Sequence, residues 1–145
     1  MPPSHTSARW RFNRLMNGRD IAVYSARTAD DKKATDIVVY DLRGLSDISD
    51  YFVLVTAHSR AQTRAILESV ARELKKCGIH KIGQEGNETG RWVLLDYGDC
   101  VVHIFSPDLR AYYGLESMWG DAPKLKWENE PKVILPKIKK TGTDD

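Results

Sequence analysis

The sequence predicts an α/β (α+β) domain in which a mixed β-sheet is flanked by helices. Three observations carry this. Short runs rich in β-branched and other apolar residues, Asp36–Leu42, Asp50–Thr56, Trp92–Leu95 and Cys100–Phe105, have the length and composition of strands. Helix-capping residues at Asn17, Ser59 and Ser106 open segments of helical character between and after them. The connections between the first two strands, and between a short strand at Lys81–Ile82 and Trp92, are too short for parallel crossovers, so those pairs are expected to be antiparallel neighbours.

Taken in order, the first helix starts at Asn17, which can cap it, with Asp20 placed to reach back. Ala22, Ser25, Ala26 and Ala29 give it a small-residue face suited to close packing on a sheet, and Asp30-Asp31-Lys32-Lys33 ends it. The strands Asp36–Leu42 and Asp50–Thr56 follow, separated by a turn at Arg43–Ser46. The second helix is the clearest. Ser59 caps it, Gln62 completes a Ser-x-x-Gln box, and Ile66, Val70, Leu74 and Cys77 form its apolar stripe. Glu68 and Arg72 are spaced for an outward ion pair, and Gly78 is suited to follow the last turn. After the strand at Lys81–Ile82, a glycine-rich loop spans Gly83–Gly90. Trp92–Leu95, the turn Asp96-Tyr97-Gly98-Asp99 and Cys100–Phe105 read as a β-hairpin. Ser106-Pro107 opens a last helix carrying Tyr112, Tyr113, Leu115, Met118 and Trp119, and Gly120–Pro123 stops it. The expected order is α-β-β-α-β-β-β-α.

The chain has 145 residues, enough for one domain with tails. The expected boundaries are a basic N-terminal tail over 1–16, a folded domain over 17–123 and a Lys/Pro-rich tail over 124–145. No apolar run approaches the roughly 20 residues that span a bilayer. Cys77 and Cys100 lie far apart and read as buried free thiols of a reducing compartment. Charge is uneven: residues 1–35 carry +4, residues 36–123 carry −4 and residues 124–145 carry +2. An acidic body with basic ends suits a partner made of protein and nucleic acid, with the tails as the RNA-contacting parts. Arg9, Arg11, Arg14 and Arg19 make two origins readable, a bacterial cytoplasmic protein with an N-terminal tail or a mitochondrial one with a presequence.

Few motifs carry chemistry. Thr56-Ala57-His58-Ser59 joins a strand to a helix, where a phosphate could sit on terminal amides, but it lacks the glycines such a loop needs, and capping alone explains Ser59. Asp96, Asp99 and His103 could be drawn as a metal or acid–base site. Turn aspartates usually bond their own backbone, and His103 among apolar neighbours reads as a satisfied strand histidine. Asp47 and Asp50 do not form the carboxylate pair of metal-dependent nucleotidyl transfer. No catalytic residue, cofactor or metal is therefore expected. On period-two alternation Trp92, Leu94 and Asp96 share one face, an amphipathic surface suited to a protein interface, while Val93, Leu95 and Tyr97 share the other.

The stretches DIVVYDLRGLSDISDYFVLVTAHSRAQTRAI, the Glu85-Gly86 loop and WVLLDYGDCVVHIFSPDLRAYYGLESMWGDAP resemble the ribosomal silencing factor family, also called Iojap, over residues 18–123. The resemblance implies a nucleotidyltransferase-like fold without the catalytic carboxylates. It implies a non-catalytic factor that binds the large ribosomal subunit at ribosomal protein fourteen (uL14) and blocks joining of the small subunit, repressing translation under nutrient limitation. Members of that family can also form homodimers. The implied contact surface maps onto Trp92, Leu94, Asp96 and Tyr97, with Glu85, Gly86 and the Tyr112, Tyr113 and Trp119 of the final helix in support. Ala57-His58-Ser59 departs from the family's usual Gly-Thr-Ser. The alternative function is a nucleotidyltransferase-like, nucleotide-binding enzyme.

Overall fold

The computed structural model describes residues 16–87 and 89–130. Helix α1 (Gly18–Asp31) begins as its first turn dictates. The Asn17 side chain accepts from the Asp20 amide at 2.9 Å, and Asp20 accepts from the Asn17 amide at 3.3 Å. Strands β1 (Thr35–Asp41) and β2 (Tyr51–Thr56) pair antiparallel, as their short connection requires. Helix α2 (Arg60–Lys76) is capped by Ser59, whose hydroxyl accepts from the Gln62 amide at 3.0 Å. The expected box closes one residue early, on the His58 amide instead of the cap's own.

The strand expected at Lys81–Ile82 forms two residues later, as β3 (Gly83–Gly86), inside what reads as a loop. Glycine content masks it, because backbone pairing to β4 (Trp92–Asp96) supplies what the side chains do not. β4 pairs antiparallel with β5 (Cys100–Phe105) across a turn in which Gly98 has φ +84° and the Asp96 carboxylate accepts from the Gly98 amide at 2.8 Å. β5 lies parallel to β2 at the centre of the sheet, and the order is β3-β4-β5-β2-β1-β6.

Two corrections concern the C-terminal part. The single helix expected after Ser106 is two, α3 (Pro107–Tyr113) and α4 (Leu115–Met118), broken where Gly114 adopts φ +61° and caps α3. The tail expected from residue 124 is part of the folded body as far as Glu130. Lys124–Leu125 form β6, paired with β1. A 3₁₀ turn, Trp127–Asn129, then buries the Trp127 indole in the core, its Nε1–H donating to the Ile37 carbonyl at 3.4 Å. Arg19 holds Glu130 through two bonds of 2.9 Å. One tryptophan in a Lys-rich segment is too weak a period to announce this. Val133–Leu135 lie outside the described residues.

The sheet separates two apolar layers. α1 and α2 cover one face, where Ile21, Val23, Ala26, Val53, Val55, Ile66, Val70, Leu74, Leu95, Val102 and Ile104 form the main core. Phe52, Leu54, Tyr40, Leu42, Val101 and Ala122 form a smaller cluster on the other face, closed in part by Leu115 and Trp119. Both cysteines are buried free thiols. The expected Glu68–Arg72 pair does not form; Arg72 lies 3.8 Å from Glu73. Among the described residues no helix is long and apolar enough to cross a membrane.

Candidate functional site

Strand alternation and register assemble the second face of the sheet row by row. Trp92 lies beside Phe105, and Phe105 beside Thr56. Glu85, Leu94, His103, Leu54 and Val38 follow one another across five strands. Asp96, Val101, Phe52 and Tyr40 make the next row. The residues singled out in sequence on the Trp92–Leu94–Asp96 face are therefore brought together, and Glu85 joins them because it pairs opposite Leu94.

Helices α3 and α4 cross only part of this face. Arg110, itself buried, pins them down: its guanidinium donates to the Thr56 hydroxyl at 2.9 Å and to the Asp36 carbonyl, and forms a two-bond ion pair with Glu116 at 2.9 and 3.1 Å. That pair holds the Glu116 carboxyl below its ordinary range. Arg110 was not foreseen as structural. Its i,i+6 partner crosses the α3–α4 break, which no regular helical spacing reveals.

The pinned helices set Tyr113 beside the sheet. Trp92 stacks on Phe105 at 6.3 Å between centroids, and Tyr113 sits 5.9 Å from both. Trp119 meets Phe52 edge-on at 6.0 Å. Tyr112 and Met118 project outward, 79% and 67% exposed. The product is an aromatic shelf, half-buried at Trp92 and Leu94, edged by the carboxylates of Glu85 and Asp96 and open on the β3–β4 side. Gly86 matters through its backbone. A Cβ there would lie 2.8 Å from the Trp92 carbonyl oxygen, so only glycine lets β3 lie this close beside Trp92.

Tyr97 does not belong to this face, which corrects its place in the expected contact surface. Period two sends it to the helix-covered side, where it is 8% exposed within the main core. Burial pushes its phenol above the ordinary range. His103 is also corrected. It lies flat on Phe105 (5.8 Å, 2° between planes) and near Phe52, and neither ring nitrogen has a hydrogen-bond partner among the described residues. Burial lowers its pKa to about 4, so it is neutral at pH 7. The Trp92 and Trp119 indole N–H groups are likewise buried without partners.

A cleft of about 520 Å³ opens at the far end of the same face, lined by Asp36, Thr56, His58, Arg110 and Glu116. The His58 ring bonds the Thr35 hydroxyl at 2.8 Å and so ties the strand–helix turn to β1. No cluster of three metal-ligating side chains occurs among the described residues.

Residues 17–144 match the family model described as ribosomal silencing factor during starvation. A ribosomal silencing factor of Bacillus subtilis is 43% identical over 108 residues, covering 74% of this chain and 92% of the relative. The chloroplastic protein Iojap of Zea mays is 40% identical over 105 residues, 72% of this chain and 46% of the longer plant protein. A crystal structure from Chromobacterium violaceum superposes with a TM-score of 0.69 at 32% identity, covering 86% of this chain and 98% of that one. With the family model matched over residues 17–144 and the fold shared with a solved structure at 32% identity, the chain belongs to the ribosomal silencing factor family.

Proposed function

We propose that this chain binds the large ribosomal subunit through ribosomal protein fourteen, that the bound factor sterically blocks joining of the small subunit, and that translation falls as a result when nutrients are scarce. It acts by occupancy, without catalysis. Family membership supports the ribosomal setting. The observation that carries the surface is the Trp92–Phe105–Tyr113 shelf, flanked by exposed Tyr112 and Met118 and edged by Glu85 and Asp96. Aromatic anchors with a charged rim are what a specific protein contact uses. Acidic rim groups suit a basic ribosomal protein and speed encounter more than they set final affinity.

Co-sedimentation with separated ribosomal subunits tests this. The wild-type chain is expected to pellet with the large subunit only. Trp92→Ala is expected to lose on the order of 2–4 kcal/mol, roughly 30- to 1000-fold in affinity. Asp96→Lys is expected to slow association. Undiminished pelleting of Trp92→Ala would remove the shelf from the contact.

A further inference from the structure

We propose that the outer face of α2 is a second contact surface, one that takes the phosphate backbone of double-helical RNA. It lies across the sheet from Trp92, on the helix-covered side. The segment 60–81 carries six Lys/Arg against two Glu, net +4, whereas the rest of 36–123 carries three Lys/Arg against eleven Asp/Glu, net −8. The acidity of the body thus conceals a molecule with two electrically opposite sides. α2 buries Ile66, Val70 and Leu74, while Arg60, Arg64, Arg72, Lys75 and Lys76 are exposed. These cations form two groups on one side of about 24 Å of helix, Arg60 and Arg64 in its first half and Arg72, Lys75 and Lys76 in its second, with Glu68 between them.

Folding explains only some of them. Glu73 takes Lys76 at 3.2 Å and lies near Arg72. Lys75 and Lys76 also occupy the last turn, where the helix dipole favours cations. Arg60 and Arg64 sit at the opposite end, where the dipole disfavours them. They form a like-charged i,i+4 pair and have no ion-pair partner among the described residues. Their cost to the helix points to a ligand outside it.

The chemistry of the face selects the ligand. An acidic membrane would need an apolar side to insert, but that side of α2 is the core. A protein partner would need anchors, and none of the exposed large hydrophobics, Leu45, Ile48, Ile82, Tyr112, Tyr113 and Met118, comes from α2. Single-stranded RNA would call for aromatic stacking platforms, which α2 lacks. A rigid row of guanidinium and ammonium groups suits duplex RNA, which proteins recognise through backbone and shape.

The test is fluorescence anisotropy of the full chain with a labelled RNA duplex, with no ribosomal protein present, so its result is separate from that of the Trp92 shelf. Four phosphate contacts predict binding that weakens roughly 150-fold between about 50 and 200 mM salt. Arg60→Glu/Arg64→Glu/Lys75→Glu is expected to bind at least about tenfold more weakly at low salt and to lower the logarithmic salt slope by about 3. Arg9→Gln/Arg11→Gln/Arg14→Gln and Trp92→Ala are expected to keep most of the binding. Should the reversal variant lose its circular-dichroism signature, Arg60→Gln/Arg64→Gln keeps good helix formers and should still lower the slope by about 2. The proposal is overturned if the wild-type chain does not bind the duplex, if the α2 variants bind as it does, or if polyglutamate or anionic vesicles bind equally well.

Discussion

His103 shows how a single side chain on this face sets a pH limit. Its ring is stacked against Phe105 and unbonded at both nitrogens, so the folded state accepts a proton only near pH 4, whereas the unfolded chain accepts it near the ordinary value of 6.5. The unfolded state therefore binds more protons in between. The stability owed to neutral His103 is complete above about pH 6.5 and is lost as pH falls toward 4, by about 3 kcal/mol in all. His103→Phe keeps the stacked shape and removes the titration. We expect its urea-unfolding stability to fall about 2–3 kcal/mol less than the wild type's between pH 7 and pH 4.5. Equal falls in both proteins would acquit His103. Trp92 is half-buried on the open face of the sheet and touches two rings, so Trp92→Ala should cost about 1–2 kcal/mol of stability, less than a core tryptophan, and leave the domain folded. Thermal unfolding checks this alongside subunit pelleting.

At the scale of elements, β3 holds the open edge of the shelf in place. Gly86→Ala puts a methyl against the Trp92 carbonyl, which neighbouring backbone cannot relieve by a rotamer change. The expected cost is about 1–3 kcal/mol, with faster amide hydrogen exchange in β3 and at Asn87, whose N–H donates to that same carbonyl. Unchanged exchange there would mean that β3 tolerates the displacement. The elements best legible in sequence were those whose local chemistry agreed with the fold: the Asn17 and Ser59 caps, the alternating β4, and the Gly98 turn. β3 was misplaced because its glycines carry no pattern. The α3–α4 break was missed because Gly114 lies within aromatic residues that read as one continuous helix. The Trp92–Leu94–Asp96 side of the site followed from period two alone, while its helical wall depended on Arg110, a contact invisible to spacing.

For the molecule as a whole, the informative surprise is how far the body extends. Trp127 and Glu130 hold this segment to the body by different means, one by burial and one by charge. Trp127→Ala is expected to cost about 3–5 kcal/mol, as for other buried aromatics. Glu130→Gln breaks a partly exposed pair and should cost under about 1 kcal/mol. Chemical denaturation of the two variants checks the contrast. Equal small losses would return the segment to the status of a tail, as composition alone suggested. A segment with one tryptophan among lysines has no period to read, and only the tertiary contact with Ile37 and α1 reveals its role.

The parallel seam between β2 and β5 has a kinetic consequence. Tyr51 pairs with Cys100 and Thr56 with Phe105, so the middle of the sheet joins residues about a third of the sequence apart, whereas the flanking hairpins join near neighbours. Closing so long a loop is entropically costly before any contact rewards it, and such pairings slow folding. The shelf residues Glu85, Trp92, Leu94, Asp96, Phe105 and Tyr113 all come from the C-terminal side of that seam, while Thr56 and the Asp36 carbonyl, which hold α3 through Arg110, come from the other. A chain in which the seam has not closed therefore carries the sheet part of the proposed docking surface without the anchor of its helical wall. On the proposed function, full recognition is then expected only of the molecule in which the seam has closed.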